Sequence, residues 1–490
     1  MNKAWPLQSS LLKNQSKKGR FAYSLSKNLA ISKSKAPPEQ FQRKKKIQLP
    51  ELTEFDVVRH YHRLSHLNYS IDGGFYPLGS CTMKYNPRIN EVTASKEEFL
   101  NLHPKSPEKF SQGALEIIWE LQNLLASISG FKHVSLQPAA GAQGEYAGMR
   151  MIRKCLDKRG NRNNTVIVPE SAHGTNCATA AICGFKVLNI PQKASATLTL
   201  SEIAALCDSG EIAALMVTNP NTLGIFEKDI QEITKLLHEK GALVYCDGAN
   251  LNAMLGVTRP GDAGFDVMHF NQHKTFTTPH GGGGPGCGAI GVAESLEDFI
   301  PTPVLNKGSE GLFWDYDRPL SIGPLKDFYG HFLMMLRSYT YIRELGAEGI
   351  QKVGEHAILL ANYVRKRLQD HYTIAYDQNC MHEVIFNDSL QLKNGITALD
   401  ISKKLIDYGF HPPTMYFPLV VAGALMIEPT ETESLDTIDS FCDAMIDIAQ
   451  KAQEKNAFEK HFKDAPHTAA VARINETKAA RELKLTWNEL

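Results

Sequence analysis

Short apolar runs alternate with longer helical patterns over much of the chain, and this alternation limits the possible folds more than any other feature. The runs typical of strands are, in order, VSLQPA, TVIVP, ALMVT, ALVYCD, VMHFN and AIGVA. Helical patterns lie between them, near 143–158, from Thr175, and near 230–240. Strands that are apolar throughout are typical of sheets covered on both faces. Their alternation with helices predicts an α/β fold with a mostly parallel sheet.

A second, smaller α/β region is predicted after the Pro-containing stretch near 300–324. A long helical pattern covers 328–368, and the apolar run HEVIF and a helical pattern near 398–408 follow it. We therefore predict a basic N-terminal extension at 1–70, a large domain at 71–325, a small C-terminal domain at 326–460 and a tail at 461–490. In open α/β sheets ligands bind beyond the carboxyl ends of the strands, so chemistry is expected in the loops there.

Charge and hydropathy exclude several classes of partner. Lys and Arg number 53, equal to the 53 Asp and Glu, so neither nucleic acid nor an anionic membrane is expected as a partner. Residues 1–50 nevertheless carry twelve basic side chains against the single acid Glu39. This pattern fits an organellar targeting peptide or a polar arm that binds a partner subunit. No run of 18 apolar residues occurs, so we predict a cytoplasmic protein that does not span a membrane.

The cysteines indicate a reducing environment and no structural metal. The sequence has nine, an odd number, and no CxxC pair, which argues against a disulfide framework or a zinc site. We expect no metal site. Cys81, in a loop containing Gly and Ser, is the candidate for a reactive thiol.

Lys274 is the candidate nucleophile. It follows the VMHFN run directly, within Gln272-His273-Lys274-Thr275-Phe276, and a glycine-rich stretch at 281–286 comes soon after. A lysine at the end of a buried strand is unusual, and a desolvated lysine amine can condense with a carbonyl group. The alternative is a lysine whose amine reaches solvent at the sheet edge.

The glycine-rich stretch at 281–286 matches GxGxxG only formally, since it leads straight into a strand. Its glycines indicate a close approach of the backbone to a ligand or a neighbouring subunit.

Three other loops offer matching chemistry. The segment PAAGAQGE, which includes Ala142 and Gln143, ends one strand and opens a helix, so its free N–H groups predict a phosphate seat. An ordinary strand-to-helix turn is the alternative. Asp247 closes the ALVYCD strand and His173 follows TVIVP; a helix cap and a core histidine are the alternatives. Together with Lys274, these groups match what pyridoxal phosphate needs: a phosphate seat, a ring-stacking partner, an acid for the pyridine nitrogen and an amine.

Six motifs also resemble one known family. They are FYPLGSCTMK (75–84), QPAAGAQGEYAG, SAHGTN, DGANLNA, the segment from RPGDAGFDV through HKTF to GGGGPG, and GALMIEPTETES. Together they are similar to the pyridoxal-phosphate-bearing half of the P-protein of the glycine cleavage system. The resemblance runs from about 49 to 433. It implies the large-domain, small-domain fold of aminotransferase-like (fold type I) pyridoxal-phosphate enzymes.

The resemblance also implies roles and partners. Lys274 would hold pyridoxal 5'-phosphate covalently, His173 would stack on its ring and Asp247 would pair with the ring nitrogen. Further cofactor-binding residues would be Ala142, Gln143, Ala249 and His273. The implied reaction is glycine decarboxylation, with release of CO2 and transfer of the aminomethyl group to the lipoyl arm of the H-protein. The implied partner is an α subunit in an α2β2 assembly. Another fold type I pyridoxal-phosphate amino-acid enzyme and a cofactor-free scaffold are the alternatives.

Overall fold

The structure is a computed structural model that describes residues 11–21, 37–45, 47–191, 195–281, 284–469 and 471–485. It divides into two units. One contains Gly74–Pro466, and the other contains Met1–Gly73 together with His467–Leu490. Among the described residues, no helix has both the length and the apolar character needed to cross a membrane. The sequence-based division at 70, 325 and 460 stays a prediction.

Within Gly74–Pro466, the described residues form a seven-stranded sheet in the order β1-β7-β6-β5-β4-β2-β3. The strands β2 to β6 run parallel, whereas β7 is antiparallel to both β6 and β1. The strands are β1 (His133–Ser135), β2 (Thr165–Pro169), β3 (Lys186–Ile190), β4 (Ile212–Thr218), β5 (Leu243–Asp247), β6 (Val267–Asn271) and β7 (Gly288–Val292). The predicted, mostly parallel sheet is confirmed.

Burial on both faces explains the apolar character of these strands. Every residue of β4, β5, β6 and β7 is buried, and helices pack on the two sides of the sheet around separate hydrophobic clusters. The helices of this part are α3 (Arg88–Ala94), α4 (Glu97–Leu100), α5 (Glu108–Ser129), α6 (Gly141–Lys158), α7 (Gly174–Ile182), α8 (Leu200–Ser209), α9 (Ile230–Glu239) and α10 (Gln272–Thr275). A hairpin of β8 (Val304–Gly308) and β9 (Gly311–Asp315) follows.

A second sheet lies in the C-terminal part of the same unit, in the order β10-β11-β13-β12, and is antiparallel. Its strands are β10 (Thr373–Ile374), β11 (Val384–Asn387), β12 (Thr414–Met415) and β13 (Ala424–Ile427). The helices around it are α11 (Phe332–Leu368), α12 (Ser389–Leu392), α13 (Ala398–Asp407) and α14 (Leu435–Lys451). These elements bury a third cluster that contains Phe386, Leu425 and Phe441.

The long helix differs from the pattern that predicted it. It begins at Phe332 rather than at 328 because Phe328 and Tyr329 have positive φ values of 63° and 62°, which a right-handed helix excludes. Gly346 interrupts it with a φ of 61°. The N-terminal half of α11 packs into the core under the large sheet, and its C-terminal half packs into the core of the second sheet.

The other unit contains α1 (Leu12–Gln15), α2 (Glu54–Ser65) and α15 (Glu476–Arg481). Thr53 and Asp56 form a capping box at the start of α2, a pairing that satisfies two otherwise free N–H groups. Arg20 also pairs with Asp56, at 2.9 Å. Part of the basic N-terminal extension predicted at 1–70 lies outside the described residues, at 1–10, 22–36 and 46.

Candidate active site

A cavity of about 480 Å³ lies at the carboxyl ends of the central strands, where open α/β sheets bind ligands. Six of the seven residues predicted from the sequence line it: Ala142, His173, Asp247, Ala249, His273 and Lys274. They come from segments that are far apart in the sequence. The sheet brings them together because β5 and β6 end at the same edge.

Lys274 lies on the single turn of helix α10, directly after β6. Its side chain is half-buried, and its Nζ donates a 2.8 Å hydrogen bond to the carbonyl oxygen of Ser80. Ser80 belongs to a loop that precedes the large sheet in the chain and lines the same cavity. The Lys274 amine thus lies at the cavity and is held there by a hydrogen bond to a backbone carbonyl.

Asp247 shares its environment with a second acid. Its Oδ1 accepts a 2.9 Å hydrogen bond from the backbone N–H of Ala249. With the Asn176 amide turned to donate, its nitrogen lies 3.1 Å from Asp247 Oδ2 and 2.9 Å from Glu145 Oε1. Burial, and then the charge of Asp247, raise the pKa of Glu145 to about 8. Glu145 is therefore protonated at neutral pH.

A buried histidine lies beside this acid pair. His269 Nε2 is 3.5 Å from Asp247 Oδ1 and 2.8 Å from Asn271 Nδ2, and its Nδ1 contacts the hydroxyl of Tyr245. Burial lowers the pKa of His269, so the ring is neutral. Asp247 therefore has no positively charged partner in this network, and its charge is available to a cationic ligand.

Helix α6 offers its N-terminus to the cavity. Ala140, directly before it, is extended and provides no side-chain cap. A Cβ at Gly141 would lie 2.1 Å from Asn271 Oδ1, so only glycine fits at the first position of the helix. The first N–H groups of a helix attract anions such as phosphate. The Oγ1 of Thr218, another lining residue, is buried and has no hydrogen-bond partner among the described residues.

Gln143 is the predicted residue that does not line the cavity. Its Oε1 accepts from the N–H of Ala139 at 2.7 Å, and its Nε2 donates to the carbonyl of Leu325 at 3.0 Å. Both polar atoms thus hold the loop before α6 in place. In this position the residue can offer a ligand its backbone N–H but not its amide.

The histidines of the cavity differ in exposure. His173 is exposed and caps α7, since its Nδ1 accepts from the N–H of Thr175 at 3.2 Å. Its ring meets that of Phe417 edge to face at 5.9 Å. His273 is half-buried beside His280, and burial lowers its pKa to about 4. A neutral His273 adds no positive charge next to Lys274.

Comparison with known proteins identifies the family. A family model described as Glycine cleavage system P-protein matches residues 26–309, which is more than half of the chain, and one described as Glycine dehydrogenase, C-terminal domain matches residues 353–470. This chain belongs to the glycine cleavage system P-protein family. The resemblance that the motifs indicated is thus confirmed.

Relatives within the P-protein family match the chain over nearly its full length. A probable glycine dehydrogenase (decarboxylating) subunit 2 of Caldanaerobacter subterraneus subsp. tengcongensis is 48% identical over 487 residues, covering 98% of this chain and 99% of that protein. A protein of the same name from Listeria monocytogenes is 51% identical over 442 residues, covering 90% of each chain.

Solved structures confirm the fold. The crystal structure of glycine decarboxylase (P-protein) of the glycine cleavage system, in inhibitor-bound form, has a TM-score of 0.69 at 20% identity and covers 84% of this chain and 93% of that chain. A cysteine desulfurase from Thermococcus onnurineus NA1 has a TM-score of 0.60 at 15% identity, over 79% and 98% of the two chains. The fold is that of fold type I pyridoxal-phosphate enzymes, as predicted, and with the P-protein family it implies that cofactor.

Sequence reasoning missed three parts of the site. Glu145 was visible in the PAAGAQGE motif but had no role, since nothing in the sequence places it beside Asp247. His269 was hidden within an apolar strand. The loop at 78–82 was noted for Cys81 and as part of a motif, but its contacts with Lys274 and with the buried residues behind it, described below, were missed because they join distant segments. The expectation that the chain has no metal site stays a prediction.

Proposed function

We propose that this chain is the pyridoxal-phosphate-bearing subunit of a two-subunit glycine decarboxylase. It would release CO2 from glycine and transfer the aminomethyl group to the lipoyl arm of the H-protein. The observation that carries the proposal is the convergence of the Lys274 amine, the Asp247 carboxylate and the N-terminus of α6 on one cavity, in a chain of the P-protein family. The name subunit 2 that its relatives carry supports a partner α subunit, in an α2β2 assembly.

The residues that line the cavity fit pyridoxal phosphate. The N-terminus of α6, with Ala142, would bind the phosphate, and the unpartnered hydroxyl of Thr218 offers a further polar contact. Asp247 would pair with the ring nitrogen, His173 and Ala249 would cover the two faces of the ring, and Lys274 would hold the cofactor covalently. When bound, the cofactor supplies the sink for the electron pair of the Cα–carboxylate bond of glycine.

The acid pair would keep the ring nitrogen protonated. Glu145 carries a proton at neutral pH because its pKa is raised to about 8, so Asp247 can carry the negative charge of the pair. The Asn176 amide, which donates to both acids, and the N–H of Ala249 fix the direction of the Asp247 carboxylate. A carboxylate held in this way stabilises a protonated pyridine nitrogen through charge and hydrogen bonding.

Other residues position the amine and limit proton exchange. Ser80 provides the acceptor for the Lys274 amine when the amine is free. His273 is neutral at physiological pH because burial lowers its pKa to about 4, so it does not repel the Lys274 ammonium. The Cys81 thiol lines the same cavity, and burial raises its pKa. It therefore stays a thiol rather than a competing nucleophile.

The decisive experiment locates the covalent attachment. Borohydride reduction of the cofactor-loaded protein, followed by peptide mapping, should label Lys274. Lys84 is the internal control, because it is also buried but pairs with Glu431 at 2.5 Å. Labelling of Lys84, or of no lysine, would refute the assignment.

Activity assays then separate the possible reactions. Glycine-dependent CO2 exchange should require both the α subunit and lipoylated H-protein. Turnover of an amino acid in the absence of both would indicate a different pyridoxal-phosphate enzyme. A purified protein that shows no cofactor absorbance after incubation with pyridoxal phosphate would indicate a scaffold. A cytoplasmic location belongs to the same proposal and is supported by the cysteines, all nine of which are described and free.

A further inference from the structure

The loop that contacts Lys274 has an unfavourable backbone. Ser80 and Thr82, on either side of Cys81, have φ values of 65° and 47°. Residues with a Cβ rarely adopt the left-handed region, and they remain there only when the surrounding structure holds them. The contacts that hold this loop in its conformation therefore also determine where the Ser80 carbonyl lies.

Two buried glutamates hold the two left-handed residues. The N–H of Ser80 donates to Glu383 Oε2 at 2.8 Å, and the N–H of Thr82 donates to Glu428 Oε2 at 2.9 Å. Both glutamates are 0% exposed. They lie at the same end of the second sheet, since Glu383 precedes β11, Glu428 follows β13, and Val384 pairs with Ile427.

The rest of the loop is fixed to the same sheet. Leu78 forms a bridge with Ile427, and Thr414 Oγ1 donates to the carbonyl of Gly79 at 2.8 Å. A Cβ at Gly79 would lie 2.1 Å from the Met426 side chain, so the backbone approaches β13 as closely as only glycine allows. The Ser80 carbonyl can thus move little relative to the glutamates.

The glutamate pair is electrostatically unusual. Glu383 Oε1, Glu428 Oε1 and both ring nitrogens of His382 are buried without a hydrogen-bond partner in the part of the chain that the structure describes. Burial lowers the pKa of His382 to about 3, so this histidine does not neutralise the acids. An oxygen of each carboxyl lies within 4.8 Å of the other, and two buried carboxyls this close do not both ionise. Burial, and then the charge of Glu428, raise the pKa of Glu383 well above its usual value, whereas burial raises that of Glu428 to about 6.

One negative charge therefore remains at neutral pH, and it lies on Glu428. The groups that face it are His382, Glu383, Cys81, Glu431 and Lys274. Of these described groups, Lys274 is the cation, and its positive charge lowers the pKa of both glutamates. The loop thus links the amine to both glutamates: Ser80 contacts Lys274 and Glu383, and Thr82 contacts Glu428.

We propose that Glu383 and Glu428 are positioning residues that build a seat for the free Lys274 amine. Glu383 fixes the Ser80 carbonyl, which accepts a hydrogen bond from the amine, and Glu428 fixes Thr82 and places a negative charge near the amine. This inference rests on the proposed function, in which the Lys274 amine would be free while glycine is bound. The seat would then stabilise the state in which glycine is bound and the lysine is free.

The first test uses the full-length protein without cofactor. Lys274 is labelled with an amine-reactive acylating reagent at about pH 7.5, and its rate is measured by peptide mapping relative to the exposed Lys307. Glu428→Gln keeps an acceptor for Thr82 but removes the charge, so Lys274 should react roughly three to ten times faster. Glu383→Ala removes the acceptor of the Ser80 N–H and frees the Ser80 carbonyl, so it should also make Lys274 react faster than in the wild type.

A matched control separates this effect from general damage to the core. Glu227 is also buried and accepts a backbone N–H, that of Leu198 at 2.7 Å, but it does not line the cavity. Glu227→Gln should leave the labelling of Lys274 unchanged. Equal labelling in Glu428→Gln and the wild type, or the same acceleration in Glu227→Gln, would overturn the proposal.

A second readout uses the cofactor-loaded enzyme with its partners. Loss of the seat destabilises the glycine-bound state, so Glu428→Gln should raise KM for glycine by the factor seen in labelling and change kcat less. A fall in kcat at constant KM would contradict the seat. Labelling of the cofactor-free protein does not depend on which lysine binds pyridoxal phosphate. Borohydride mapping can therefore refute the proposed function, while the acylation of cofactor-free protein still tests the roles of Glu383 and Glu428 independently.

Discussion

Replacing Glu145 with glutamine should make the stability of the cofactor-free protein less sensitive to rising pH. Glu145 is buried on α6, and its Oε1 lies 2.9 Å from the Asn176 amide nitrogen. Burial and the charge of Asp247 raise its pKa to about 8. Glutamine has the shape of the protonated acid and can still accept from Asn176, but it does not titrate.

The magnitude follows from proton linkage. In the unfolded chain the Glu145 carboxyl has its ordinary pKa of 4.5, so between about pH 4.5 and 8 the native state binds one proton more than the unfolded state. The stability that this proton provides is complete below the lower limit and is lost as pH rises toward the upper limit, by about 1.4 kcal/mol per pH unit. Between about pH 5.5 and 7.5, wild type should lose about 3 kcal/mol of unfolding free energy relative to Glu145→Gln.

Urea unfolding at three pH values in this window measures the difference. The partly buried Trp119 and Trp314 provide a fluorescence signal, and circular dichroism as a second probe tests whether the transition is single. Glu232→Gln, a change of an exposed glutamate on α9, is the control and should follow the wild type. Parallel pH dependence of wild type and Glu145→Gln would show that Glu145 is not protonated in the native protein, and the reasoning would fail.

Four further predictions concern catalysis and assembly. Lys274→Ala should lower CO2 exchange by more than about 10³-fold with an unchanged circular dichroism spectrum; residual exchange near the wild-type rate would contradict this. Asp247→Asn, assayed at saturating cofactor, should slow exchange by roughly 100-fold or more while weakening cofactor retention far less, and equal rates would exclude the role of Asp247. Gly141→Ala places a Cβ against Asn271 and should destabilise the protein by about 1–3 kcal/mol and weaken cofactor binding, both measured by thermal shift with and without pyridoxal phosphate. Removing residues 1–36 should abolish co-purification with the α subunit; unchanged co-purification would eliminate the proposed docking role of the arm.

The large sheet was predictable because its central strands are buried on both faces. Runs such as ALMVT, which became the greater part of β4, are almost entirely apolar and too short for a buried helix. The edge strand β3 was missed for the opposite reason: Lys186 and Asn189 are exposed, so the run KVLNI lacks a continuous apolar character. The hairpin of β8 and β9 was missed too, since it lies in a stretch that the prolines mark as irregular.

The site was predictable where a residue follows directly from a strand end. Asp247 is the last residue of β5 and Lys274 follows β6, and parallel strands present their carboxyl ends at one edge. Glu383 and Glu428 follow no such rule. Their side chains act on a loop that the sequence places some 300 residues earlier, with separations of 303 and 346 positions. Local patterns carry no information about such contacts, and only the packing of β11 against β13 reveals them.

The same separations have a consequence for biosynthesis. A nascent chain that has emerged as far as the end of α11 already contains Lys274, Asp247 and the start of α6, yet the acceptor for the lysine is not anchored until the ribosome has added Glu383 and Glu428. If pyridoxal phosphate reached such an incomplete chain, it would therefore encounter a Lys274 amine whose acceptor, the Ser80 carbonyl, is not yet anchored.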